Sequence, residues 1–172
     1  MAKRLSLRDF QENLSARLQS AQRGETVPPM LGFRAGQRRW LLELPDSGEV
    51  VPLPTLSSVP LTKAWFAGMA NIRGALHAVA DFAQFAGSTP TARTDRSRLL
   101  LIGARHGTNS ALLVESIEGL RPMSALRNAD MPSDAPKAAW IDAAYQDEQG
   151  NMWLHIALAE LLQDPGFLDI AL

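Results

Sequence analysis

The chain carries three histidines, His77, His106 and His155, and no two of them sit at the spacing of a metal-ligand pair. His77 and Asp81 are four apart. That spacing places them on one face of a helix and equally on one face of a strand, so it selects no acid–base pair. His106 stands in a turn beside Gly107 and reads as solvated. His155, between Leu154 and Ile156, reads as a half-buried strand residue. With no cysteine there is no disulfide, no thiolate metal site and no cysteine nucleophile. No glycine-rich phosphate loop follows a strand, and no serine occupies a nucleophile elbow. The residue types therefore point away from hydrolysis and metal chemistry. No catalytic residue, metal or cofactor is assigned, and an enzyme built on His77 and Asp81 is the outlying reading.

The second chemistry considered is nucleic-acid binding. The formal net charge is −1, but residues 1–39 hold eight Lys/Arg against three Asp/Glu, and residues 40–172 hold nine against fifteen. A basic front end could meet an acidic partner or a nucleic acid. Arg34, Arg38 and Arg39 with Phe33 and Trp40 form a basic-aromatic cluster of the kind that stacks single strands. The competing reading puts Phe33 and Trp40 in the core and the arginines in water at a hairpin tip, and the balanced overall charge favours it.

The elements that must position these residues follow from periodicity. Leu7, Phe10, Leu14, Leu18 and Ala21 recur at spacings of three and four, which predicts a helix over Ser6–Gly24 that is capped by Ser6 and stopped by Gly24. Arg8, Glu12, Arg17 and Arg23 lie on its opposite face. After Pro28-Pro29 the pattern becomes extended. Leu31–Arg34 and Arg38–Leu44 around Ala35-Gly36-Gln37 predict a hairpin, and Pro45–Gly48 a turn. Pro52, Pro54 and Pro60 confine residues 49–60 to an edge strand or a connection. The run 75–80 is ambiguous between helix and strand. Residues 87–98 read as loop. Leu99–Ile102 and Ala111–Val114 form a second hairpin around the turn Arg105–Thr108, and residues 121–137 read mostly as loop. Residues 140–145 and 152–156 form a third hairpin around Asp147-Glu148-Gln149-Gly150. A short helix over 157–163 is broken by Asp164-Pro165-Gly166. Short strands at this spacing predict a mainly β fold, a barrel or sandwich. At 46% apolar and 20% charged the chain is globular. No apolar run is long enough to span a membrane, and Met1–Ser6 leads into polar sequence rather than a signal peptide, so a cytoplasmic location is expected.

Residues 59–82 stand apart. They contain Val59-Pro60-Leu61, Trp65, Gly68, Asn71-Ile72-Arg73-Gly74 and Val79-Ala80-Asp81-Phe82. This resembles the signature of the CheW family, the coupling proteins of bacterial chemosensory arrays. That signature has a Val-Pro-Leu-type lead, an aromatic, Gly-Val-x-Asn-Leu-Arg-Gly and a strand ending in Val-Asp-Leu. The family's glutamate two dozen residues before the arginine falls on Glu49. The resemblance covers about residues 30–163, within a domain expected over 27–172 that follows a helical extension over 1–26. Two departures are Ala78, where proline is common, and Val114-Glu115-Ser116, where the family has Val-Asp-Gly. The spelling Trp65-Phe66-x-Gly68-x-Ala70-Asn71-Ile72-Arg73-Gly74, with the extension, is similar to the PilI branch, which serves systems controlling type IV pili and twitching motility.

The resemblance implies two intertwined five-stranded SH3-like barrels, with the N-terminal helix and a short C-terminal helix, and makes 75–80 a strand. It implies no catalysis and no cofactor. The implied partners are a methyl-accepting chemoreceptor's cytoplasmic hairpin and the regulatory domain of a CheA-like histidine kinase, at a membrane-bound array but with no membrane insertion and no nucleic acid. It assigns receptor binding to Glu49, Met69, Asn71, Ile72, Arg73 and Gly74, and a structural motif to Trp65, Gly68, Asp81 and Phe82. Gly68 and Gly74 would bracket an exposed Asn71–Arg73 loop. An arginine fork beside apolar Ile72 and Met69 has the composition of an interface hot spot. The alternative for Arg73 is an internal ion pair with Asp81 or Glu49.

Overall fold

The computed structural model describes residues 27–172, and the helix expected over Ser6–Gly24 lies outside the described residues. Eleven strands form two curled sheets. The first six-stranded sheet has the order β8 (Ser116–Arg121), β1 (Met30–Ala35), β2 (Arg38–Glu43), β11 (Met152–Ile156), β10 (Ile141–Asp147), β9 (Leu126–Ala129). The second, five-stranded, has the order β3 (Ser47–Pro52), β6 (Arg98–Ile102), β7 (Ser110–Val114), β5 (Ala75–Asp81), β4 (Phe66–Ile72). The chain enters the first sheet, builds the whole of the second, then returns to finish the first. β11 comes back to lie parallel to β2, with Leu154 opposite Trp40. The second sheet is thus inserted in the chain between the two parts of the first.

Alternation along the strands builds three apolar clusters. Leu99 and Leu101 of β6, with Ala111 and Leu113 of β7, fill the interior of the five-stranded sheet. Their neighbours Leu100, Ile102, Leu112 and Val114 face the other way, into the core shared by both sheets. Both faces are buried, so the sequence runs continuously apolar instead of alternating. Met30, Leu41, Leu126 and Trp153 line the interior of the six-stranded sheet. At the centre of the shared core Phe82 meets Trp40 edge-on at 4.9 Å and Phe33 at 5.7 Å. Phe33 and Trp40 are therefore core residues, each almost wholly buried.

Several expectations need adjustment. The first sheet has six strands, not five, because β9 lies in the stretch read as loop. It is an edge strand that buries Leu126 and exposes Arg127 and Asn128, so it carries no apolar period to detect. A short helix α1 (Phe82–Phe85) follows β5, with the Asp81 carboxylate accepting from Gln84 N. The C-terminal helix α2 is limited to Leu158–Leu161. Asp164-Pro165 does not simply break it: Asp164 caps a second turn, α3 (Pro165–Leu168), with proline at its favoured first position. β3 is an edge strand, as its proline requires.

The β10–β11 turn carries one titration prediction. Burial of Asp147 works to raise its pKa. Donation from Trp153 Nε1 (2.9 Å), the Asn151 side chain and backbone, and Gln149 N wins, holding the carboxyl at about 2 against an ordinary 3.8. The folded value lies below the unfolded one. The stabilisation is therefore complete above about pH 4 and is lost as pH falls through about 2. Asp147→Asn is expected to cost about 1–2 kcal/mol at neutral pH and nothing at the acid end. Urea melts across pH 2–7 check this, and a cost that persists unchanged to pH 2 would refute it.

Candidate functional site

Asn71, Ile72, Arg73, Gly74 and Ala75 form the tip of the β4–β5 hairpin, in which Ile72 pairs with Ala75. Arg73 has φ +52° and Gly74 φ +86°, the pair of positive values that a two-residue type I′ turn demands. Glycine meets this without strain. Arginine does not, and its position is held by what surrounds it. Asn71 Oδ1 accepts from Gly74 N at 2.9 Å, bracing the turn from within. The Arg73 guanidinium is bidentate to Glu49, with Nη1 to Oε2 at 2.7 Å and Nη2 to Oε1 at 2.5 Å. Glu49 belongs to β3 and Arg73 to the tip of β4, the two opposite edges of the five-stranded sheet, so the pair ties those edges together at one end. Its side chains are 76% and 42% exposed. An ion pair that open to water holds little stability, yet it keeps a planar five-donor fork in one orientation at a protruding tip.

The remaining expected site residues separate. Ile72 turns inward and packs against the interior of the five-stranded sheet. Met69 lies three residues back, opposite Ala78 and bridged to Ser57 by backbone hydrogen bonds of 2.8 Å in both directions. Gly68 does not bracket the loop. It sits within β4 at a bulge opposite Val79, with φ +125°, where a Cβ would fall inside contact distance of the Ser57 carbonyl oxygen. Trp65 is half-buried against the shared core, stacked on Phe167 at 5.6 Å and edge-on to Phe85 at 5.2 Å. Asp81 is buried and fully engaged: it accepts from Thr91 N (2.8 Å), Thr91 Oγ1 (2.7 Å) and Gln84 N (3.2 Å). Arg73 therefore pairs with Glu49 and not with Asp81.

Two features escaped the sequence. Leu76, 60% exposed, stands directly after the tip, on the same face of β5 as Ala78 and Ala80. Those two alanines floor an apolar groove of about 320 Å³ walled by Trp65, Phe66, Phe167 and Ile170. Only the strand register shows that Leu76 points outward, because 75–80 has no clean period. The second feature is His106. It is not solvated: its Nε2 lies 2.7 Å from the carboxylate of buried Asp46, which Arg105 also engages. The partners are sixty residues apart in sequence, so no local signal announces them.

The other two histidines have their own partners. His77 Nδ1 lies 3.2 Å from Ala75 O, and His155 pairs with Asp142 at 2.5 Å. Among the described residues no three of His, Cys, Asp and Glu converge as metal ligands, and no helix is long and apolar enough to cross a membrane. The nucleic-acid reading loses its aromatic platform, since Phe33 and Trp40 are buried, and Arg38 is spent on Asp134 at 2.8 Å. What the surface offers is an exposed ion-paired tip beside an apolar groove.

The CheW-like domain model matches residues 29–166. The chain belongs to the CheW-like domain family. Among curated proteins, Protein PilI of Pseudomonas aeruginosa is 29% identical to it over 143 residues, 82% of this chain and 79% of that protein. Among solved structures, the scaffolding protein TtCheW from Thermoanaerobacter tengcongensis aligns with a TM-score of 0.66, covering 81% of this chain and 94% of that one at 19% identity. The likeness to TtCheW places this two-sheet arrangement in the same fold. In this CheW-like domain the Asn71–Gly74 tip, Glu49 and the groove thus occupy one end and one flank of the five-stranded half.

Proposed function

We propose that this CheW-like chain is a non-catalytic adaptor that joins the cytoplasmic hairpin of a methyl-accepting chemoreceptor to the regulatory domain of a CheA-like histidine kinase, in a cytoplasmic array governing type IV pili and twitching motility. The observation that carries the receptor half is the exposed Arg73 fork, held by Glu49 at a turn tip with Leu76 uncovered beside it. Interface hot spots are built from arginine next to apolar surface. The groove floored by Ala78 and Ala80 has an apolar lining of the kind that accepts one side of an amphipathic helix. The likeness to PilI supports the pilus assignment. Glu49, Asn71, Arg73 and Gly74 form the contact tip. Met69 lies on the outer face opposite Ala78, which floors the groove, and Ile72 supports the tip from inside.

The test is a bridging assay. Immobilised receptor hairpin is expected to retain the kinase regulatory domain only when this chain is added, in a ternary complex that survives gel filtration. Retention that is the same with and without the chain, or none in either case, would remove the adaptor reading.

A further inference from the structure

Arg34 of β1 and Arg39 of β2 are cross-strand partners in register, so two cationic side chains stand directly opposite one another. Such an arrangement costs stability where nothing neutralises it. Arg121, at the end of β8, joins them over one ring: its Cζ lies 4.9 Å from the Trp153 centroid, and that of Arg39 lies 5.9 Å away. One carboxylate faces the opposed pair. Glu118 Oε2 is 3.5 Å from Arg39 Nε, and its Oε1 is 4.0 Å from Arg34 Nε. Neither contact is a hydrogen bond. The Nε of all three arginines is buried without a hydrogen-bond partner among the described residues.

Buried donors lacking acceptors are uncommon in folded proteins, and the rest of the Arg34 and Arg39 side chains, 38% and 31% exposed, still reaches solvent. Here three such donors share one cluster. Arg34 also lines a cleft of about 370 Å³ with Thr94, Arg96, Glu115 and Ser116, which adds a fourth arginine, two hydroxyls and a second carboxylate. Four arginines against Glu115 and Glu118 leave two positive charges. The neighbouring aromatics Phe33 and Trp40 are buried and cannot stack a base. We infer that the Arg34–Arg39–Arg121 cluster and its cleft form a binding site for a phosphoryl dianion, either free phosphate or a phosphorylated side chain. A tetrahedral dianion matches the charge, and its oxygens suit several guanidinium forks at once. The site lies on the six-stranded half, away from the Arg73 tip, and does not depend on the adaptor reading.

Thermal melts of the full chain with inorganic phosphate, against chloride at matched ionic strength, test this directly. Phosphate is expected to raise the melting temperature saturably. Arg34→Gln and Arg39→Gln should each raise the half-saturating concentration at least tenfold, whereas Arg73→Asp should leave it unchanged. Without phosphate and at low salt, each Gln variant should melt at or above the wild type, since it relieves the opposed charges. A phosphoserine peptide and its unphosphorylated twin separate the sources. Half-saturation tenfold below that of phosphate identifies a phosphorylated partner side chain, and half-saturation at or above it identifies the free ion. The inference is overturned if neither phosphate nor phosphopeptide stabilises the chain beyond chloride. It is equally overturned if the Gln variants melt lower in chloride yet respond to phosphate as the wild type does, because the arginines would then merely hold Glu118.

Discussion

Arg73→Asp is expected to weaken capture of a chemoreceptor hairpin by at least about tenfold, or ~1.4 kcal/mol, while leaving the melting transition nearly in place. The two halves of that expectation have separate physical grounds. The loss of binding follows from removing five donors at an exposed tip and putting a carboxylate beside that of Glu49. The small effect on folding follows from the exposure of the pair, 76% and 42%, at which ion pairs contribute between nothing and about 1 kcal/mol. The backbone partly compensates, because aspartate tolerates the φ of +52° better than arginine does. Pull-down titration and a thermal melt of the same preparation decide it. A variant that binds normally, or one that melts far below the wild type, removes Arg73 from the interface; in the second case it is a structural residue.

Gly68→Ala should do the reverse, costing about 2–4 kcal/mol of stability. The added methyl meets the Ser57 carbonyl, which is fixed by its own hydrogen bonds to and from Met69, at a backbone angle that L residues rarely adopt. Neither neighbour can yield without breaking the bridge that joins the β3–β4 connection to β4. Gly74→Ala is the control. Gly74 also has positive φ, +86°, but nothing lies within 4 Å of its missing Cβ, so only the backbone strain remains, about 1 kcal/mol. Urea midpoints for the two variants should differ clearly. Equal losses would mean that close packing at Ser57 contributes nothing.

The Asn71–Gly74 tip was legible because its parts are local: the four residues are consecutive, with Asn71 bracing the turn and Gly74 supplying a positive φ. Gly68 misled for a related reason. A glycine near a loop reads as a loop glycine, and only the approach of Ser57, eleven positions earlier, shows that it serves a bulge. His106 misled because its partner, Asp46, belongs to a different turn. The strand β9 stayed hidden because an edge strand that buries one leucine has almost no apolar pattern.

Alternating and continuous apolar runs, proline placement and turn residues were enough by themselves to specify short strands, three hairpins and a mainly β chain, since each depends on contacts a few residues long. The signature over 59–82 then carried the family. Which arginine meets which acid, which face of β5 stays bare and where four arginines gather were decided only by the assembled sheets. Those juxtapositions depend on β11 returning to β2 and on the β4–β5 tip reaching β3 through the Arg73–Glu49 pair. A one-residue slip in the strand registers would turn the same side chains to the opposite face.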